Sequence, residues 1–192
     1  MYEPLLTVIA GDGSLNEDER ALVRSSFVPR ALGKGEFFHR AGDVVRRGGF
    51  VVRGCLRTYA VDAEGNESIL HFSPERAWVG DIQSATTNTP TPWFVEALEP
   101  SDLLTCDLPS FERLIESVPA IARGYRLGLQ RSNAARERRI ALSLQGSAED
   151  RYRDFLKRQP ALARRVPQHM LASYLGMTPE TLSRVRRKLG GG

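Results

Sequence analysis

The chain has 192 residues, enough for one barrel-sized hydrophobic core and a short second domain. No stretch reaches the length of a transmembrane helix, the N-terminal M-Y-E-P-L-L-T-V-I-A lacks a basic leader and is broken by Glu3 and Pro4, and two cysteines cannot build a disulfide framework. A secreted, disulfide-stapled or membrane-spanning protein is thereby disfavoured and a cytoplasmic one expected. The formal charge of +4 hides an asymmetry: ten Lys and Arg against sixteen Asp and Glu up to residue 110, then seventeen against seven, so a net of −6 precedes a net of +10. A basic back half is what phosphate neutralisation requires.

In chain order, S-L-N-E predicts a capping box with a first helix beginning at Ser14, and Leu15, Leu22 and Phe27 sharing a face. After Pro29 the pattern turns to short strands at Glu36–Phe38, Phe50–Val52, Leu56–Val61, Ser68–Phe72, Phe94–Ala97 and Leu103–Cys106, punctuated by Gly, Asp, Asn and Pro. The clearest hairpin turns at Gly65-Asn66. Such regular spacing suggests a barrel or jelly roll, in whose strands Cys55 and Cys106 are expected as buried thiols.

From Pro109 the period becomes helical. Phe111–Val118 reads as a short helix, and Ala120 to about Leu144 as a long one of roughly 37 Å, too long for a small barrel to cover. Ile121, Tyr125, Gly128, Leu129, Ser132, Ala135 and Leu142 lie along one side and predict a homodimer seam; the alternative is a helix lying on its own barrel. Gly146-Ser147 breaks this helix, and another restarts with Tyr152, Phe155 and Leu156 as a core face. The terminal Gly190-Gly191-Gly192 is expected to fray.

The segment Gln168–Arg187 carries the most specific signal. Ala172 is small where two crossing helices meet, Gly176 falls where the turn needs positive φ, and Leu171, Leu175, Leu182 and Val185 form one apolar seam. Thr178 is placed to N-cap a second helix and Pro179 to occupy its first turn. That helix then carries Glu180, Ser183, Arg184 and Arg187 on the face opposite Leu182 and Val185, free to enter a major groove. A helix-turn-helix reading double-stranded DNA follows. A solvated pair of amphipathic helices would need several independent coincidences.

This order of parts resembles the CRP/FNR family of bacterial transcription regulators over nearly the whole chain. The resemblance rests on G-C-L-R-T-Y at 54–59, the turn at Gly65, W-V-G-D-I at 78–82 and L-A-S-Y-L-G-M-T-P-E-T-L-S-R at 171–184. It implies a two-domain α+β protein: a cyclic-nucleotide-binding-like jelly roll or double-stranded β-helix barrel over 1–118, a dimerisation helix over 119–146 and a winged helix-turn-helix over 147–192. It also implies that Glu180 and Arg184 read base edges, with E-x-x-S-R closer to the FNR branch because Pro179 stands where CRP proteins often have arginine.

The chemistry agrees. Arginine donates bidentately to guanine and glutamate accepts from cytosine N4, so Glu180, Ser183 and Arg184 are expected at base edges. Gln168, His169, Thr178, Thr181 and Arg187 are better placed for phosphates, His169 being equally readable as an exposed bystander.

For the barrel's effector the resemblance points to a phosphate cassette, G-E-L followed about ten residues later by R-S. This chain has Gly80-Asp81-Ile82 and then Thr91-Pro92, without the arginine, so cyclic AMP is not the expected ligand. A candidate pocket for an unknown small molecule comprises Trp78, Gly80, Asp81, Ile82, Thr91, Trp93 and Phe94, although aromatic strand residues are more often plain core.

No cofactor is expected. No cysteine precedes Cys55, which disfavours an iron-sulfur centre, and Cys55 with His71 is too small a set to specify a haem. Two other classes stay open: a cupin-type barrel enzyme, poorly served by His39 and His71 without an H-x-H pair, and an architectural DNA-binding protein without regulatory targets. Activation would add RNA polymerase as a partner.

Overall fold

The computed structural model describes residues 1–11 and 13–190. They form two compact units, Met1–Ala60 with Phe72–Gln130, and Val61–His71 with the chain from Arg131 onward.

The strands make two four-stranded sheets. One is ordered β1 (Val28–Leu32), β8 (Ser101–Asp107), β3 (Arg47–Arg53), β6 (Trp78–Val79); the other is β2 (Phe37–His39), β7 (Phe94–Ala97), β4 (Leu56–Val61), β5 (Glu67–Ser73). Alternation on β7 buries Val95 and Ala97 and leaves Phe94 and Glu96 half-exposed, the two-residue period that half-burial of a strand imposes. Leu32, Phe38, Val51, Leu56, Val79, Val95, Ala97 and Leu103 cluster as one core. A second core joins Phe50 and Leu104 to helices α1 (Glu3–Ala10), α2 (Glu17–Ser26), α4 (Leu108–Ser117) and the start of α5 (Pro119–Gln145).

Several sequence expectations shift. The opening apolar run is a helix, α1, begun by Pro4 in its first turn, and its Leu5, Leu6 and Ile9 are buried. The capping box lies two residues beyond the one expected: Asn16 caps and Glu19 reciprocates, so α2 starts at Glu17 rather than Ser14. The inward side of α2 is therefore Val23, leading to Phe27, while Leu22 is exposed. The strands begin slightly earlier than the sequence pattern indicated: Pro29 itself lies in β1, an edge strand, where proline is tolerated. The two-residue β6 was too short to leave a periodic trace.

In the second unit the hairpin turns at Gly65 (φ +86°), with Asp62 Oδ1 accepting from the N–H groups of Glu64 and Asn66 at 3.0 and 2.8 Å. Ile69 donates its N–H to Ser173 Oγ at 3.0 Å, and Arg139 donates to the Leu70 carbonyl. Four helices follow α5: α6 (Ala148–Arg158), capped by a Ser147–Asp150 box, α7 (Leu162–Arg165), α8 (Gln168–Tyr174) and α9 (Pro179–Lys188). Among the described residues no strand lies beyond residue 146, so the expected wing is not among them; Gly191 and Gly192, expected to fray, lie outside the described residues.

Helix α5 spans 27 residues, and its first turns are held by a close approach. A Cβ on Gly124 would lie 2.2 Å from the Ile9 carbonyl oxygen, so α1 and α5 touch through backbone there. Gly124→Ala should push them apart and lower stability to urea by about 2 kcal/mol, the usual scale of overpacking; an unchanged midpoint would contradict this packing.

Candidate nucleic-acid interface

Helix α6 supplies the floor of the C-terminal helices. Tyr152 and Phe155 are buried, and the Phe155 ring meets Tyr174 of α8 edge-on at 5.7 Å. Asp154 anchors the same helix: it accepts from Arg138 at 2.6 Å and from Arg158 at 3.2 Å. Burial opposes its charge, yet the two guanidinium groups outweigh that and hold its pKa below the ordinary carboxylate value.

Helix α8 lies against α9 through Ala172, which is fully buried, with Leu171, Leu175, Leu182 and Val185 completing the seam. Each such leucine contributes about 1.5–3 kcal/mol by leaving water. The connecting turn uses Gly176 at φ +63°, a left-handed conformation that disfavours a Cβ. Thr178 then takes extended geometry and its Oγ1 accepts from Thr181 N at 3.2 Å, with Pro179 at the first helical position. The start of α9 is thus fixed by its cap, its proline and its buried seam.

The opposite side of α9 is open. Glu180, Ser183, Arg184 and Arg187 are all exposed, and Arg184 donates through Nη2 to Thr181 Oγ1 at 3.2 Å. The Glu180 carboxyl is held below its usual pKa by the helix-start backbone N–H, by Thr178 and by Arg184, so it is an acceptor at neutral pH. Gln168 and His169 are exposed at the start of α8, with Gln168 Nε2 reaching the Pro179 carbonyl at 3.5 Å; Thr181 is half-buried and Thr178 exposed. One residue left no sequence signal. Arg151 of α6 donates to the carbonyls of Leu175 and Gly176 at 2.7 and 2.9 Å, and nothing distinguishes it in sequence from its neighbouring surface arginines.

The residues proposed for an effector pocket do not form one set. Asp81 N-caps α3 (Ile82–Thr87), accepting from Gln83 N and Ser84 N at 3.0 and 3.2 Å, and also takes the Thr91 hydroxyl at 2.7 Å. Thr91 is buried and receives Trp93 N at 3.3 Å, Gly80 sits at φ +131°, and Ile82 is exposed. Phe94 stacks on Tyr59 at 5.1 Å, while Trp78 packs instead among Phe27, Phe50 and Phe111. His39 is buried with neither ring nitrogen hydrogen-bonded, and burial lowers its pKa; the Trp93 backbone pulls the other way without meeting hydrogen-bond geometry.

Both cysteines are buried, and burial, with Asp107 beside it, pushes the Cys106 thiol up to about 11. Among the described residues no three His, Cys, Asp or Glu gather to hold a metal ion, and no helix is long and apolar enough to cross a membrane.

On α5, Ile121 is fully buried in the first unit's core and Tyr125 meets the Phe111 ring at 5.3 Å, so neither is presented outward as the sequence suggested. Gly128, Leu129, Ser132 and Ala135 are exposed, as are Ile140 and Leu144 farther along, whereas Leu142 is half-buried.

The family model for a cyclic nucleotide-binding domain matches residues 29–118. The transcriptional activator Anr of Pseudomonas aeruginosa is 33% identical over 172 residues, covering 81% of this chain and 68% of the relative. The chain belongs to the CRP/FNR family of bacterial transcription regulators. The Pseudomonas protegens Anr protein, 30% identical over 90% of this chain and 75% of its own length, is also named a transcriptional activator; these CRP/FNR relatives are regulators rather than enzymes. Solved structures agree in fold: FixK2 of Bradyrhizobium japonicum has a TM-score of 0.71 at 20% identity, covering 85% of this chain and 84% of that one. The Thermus thermophilus catabolite activator protein gives 0.58 at 23%, covering 96% and 87%.

Replacing the cap tests how the interface is built. Thr178→Ala should lower the stability of the helix-turn-helix by about 1 kcal/mol while Thr178→Ser retains it, read from amide hydrogen exchange along α9; equal protection in both variants would show that the cap does not hold the helix start.

Proposed function

We propose that this regulator acts as a homodimer on an inverted-repeat operator, α9 of each subunit entering a major groove. In this reading residues 1–118 sense, 119–146 dimerise and 147–192 bind DNA. The observation that carries it is the exposed row of Glu180, Ser183, Arg184 and Arg187 opposite buried Leu182 and Val185. Glu180, Ser183 and Arg184 choose the sequence; Gln168, His169, Thr178, Thr181 and Arg187 hold phosphates.

A second copy is favoured by α5. Leu129, Ile140 and Leu144 are 53%, 57% and 79% exposed, and at 100° per residue they fall within about 60° of one another. Of the small exposed residues on α5, Ser132 lies nearest that stripe, and Gly128 and Ala135 turn farther round the helix. Two recognition helices then stand about 34 Å apart, one turn of DNA. The relatives' names as activators favour RNA polymerase as a further partner.

Selecting duplexes from a random pool should return an inverted repeat. Arg184→Ala should then relax preference at one base pair per half-site, about 1–3 kcal/mol of discrimination, while Arg187→Ala weakens every duplex alike. Equal losses on selected and random DNA for Arg184→Ala would overturn its base-reading role, and a selected site without symmetry would overturn the dimer.

Cyclic AMP is not the effector in this reading. The α3 amides that an anion could use are already taken by the Asp81 carboxylate, whose other oxygen holds Thr91, so a cyclic phosphate would meet a negative charge with no arginine to offset it. Calorimetry should detect no cyclic AMP binding at micromolar concentrations; measurable heat with one site per chain would reverse the assignment.

A further inference from the structure

The turn of a helix-turn-helix must hold two helices at a fixed angle, yet the last carbonyls of its first helix have no partners within that helix. Here the carbonyls of Leu175 and Gly176 receive donors from outside the motif: both are bound by a single nitrogen, Nη1 of Arg151, at 2.7 and 2.9 Å. The same atom would lie 3.1 Å from a Cβ placed on Gly176, so the guanidinium fills the space beside the turn. Its Nε is buried without a partner, so the side chain's polar anchoring rests on these two carbonyls. A cation at the end of α8 also complements the helix dipole there.

We propose that Arg151 is a positioning residue for DNA recognition, clamping the turn so that α9 is presented to the bases at a set angle from α8. It acts through the backbone and not by touching DNA. The inference rests on the DNA-reading role of α9. It separates two properties that a surface arginine would affect together. Non-specific binding depends on the number of cations facing phosphate, which the clamp does not change, whereas base reading requires α8 and α9 to engage phosphate and base edge simultaneously. Because one nitrogen serves both carbonyls, an ammonium can stand in for the guanidinium, unlike at a two-pronged arginine site.

Full-length wild type, Arg151→Gln and Arg151→Lys are titrated by fluorescence anisotropy at fixed salt, against a duplex selected by the wild type and a scrambled duplex of equal length. Arg151→Gln should lose about ten- to hundredfold in affinity for the selected duplex and stay within about twofold on the scrambled one, while Arg151→Lys recovers most of the loss. Amide hydrogen exchange without DNA supplies the independent readout: Gly176 and Met177 should exchange faster in Arg151→Gln, with α6 unchanged. Unaltered discrimination, an equal loss on both duplexes, or unaltered exchange at the turn would each overturn the clamp. If the turn loosens in Arg151→Gln but the wild type itself prefers no duplex, the clamp stands as a feature of the turn, and it is the DNA-reading role that fails.

Discussion

The interface depends on one packing constraint, the burial of Leu182 and Val185 of α9 against the small side chain of Ala172 and its neighbours. A ten-residue helix whose apolar stripe is committed to that seam can turn only one face outward, and it is the face carrying Glu180, Ser183, Arg184 and Arg187. Ala172 is what permits the close crossing, since a larger side chain would separate the helices and rotate the stripe. The polar face is therefore specified by what the apolar face cannot avoid. The cap at Thr178 and the left-handed turn at Gly176 set where the helix begins, but the seam sets which way it points.

The first unit shows the converse, a place where polar groups are turned inward on one another. In a family whose matching domain is described as cyclic nucleotide-binding, the polar groups around α3 are engaged among themselves. Asp81 accepts from two α3 amides and from Thr91, and Thr91 in turn receives the Trp93 amide. A carboxylate held in this way ties the start of α3 to the segment around Thr91. His39 is buried with neither ring nitrogen hydrogen-bonded, and that burial lowers its pKa.

Much of this was legible in the sequence because it was written in short-range chemistry. The turn glycine, the N-cap, the proline and the apolar spacing of residues 168–187 each act within a few positions, and β4 and β7 appear with the bounds their alternation gave. What stayed hidden depends on partners far along the chain. Nothing near Pro29 announces that β1 is an edge strand. Nothing near Ile121 announces that α1 and α4 will bury it, which removes it from the outward seam in which helical periodicity alone places it. The frame of the first capping box was ambiguous because both S-L-N-E and N-E-D-E offer a cap with an acid three residues on; only Asn16 leaves Val23 and Phe27 facing the core.

The charge asymmetry that first suggested DNA also has to be discounted by the contacts the chain makes with itself. Arg138 and Arg158 are engaged by Asp154, Arg151 by the turn carbonyls, Arg139 by the Leu70 carbonyl and the Tyr174 ring, and Lys188 by Glu149. These cations contribute to the net charge of the back half and so to long-range attraction, which depends on total charge. They contribute less to the ions released on binding, which depends on the cations that reach phosphate. A salt dependence computed from +10 would therefore overstate the contact, and the steepness actually observed would count the residues of α8 and α9 that face outward. In the proposed reading the distinction bears on specificity as well, because an arginine held by its own protein, as Arg151 is, can affect DNA only through how α9 is presented.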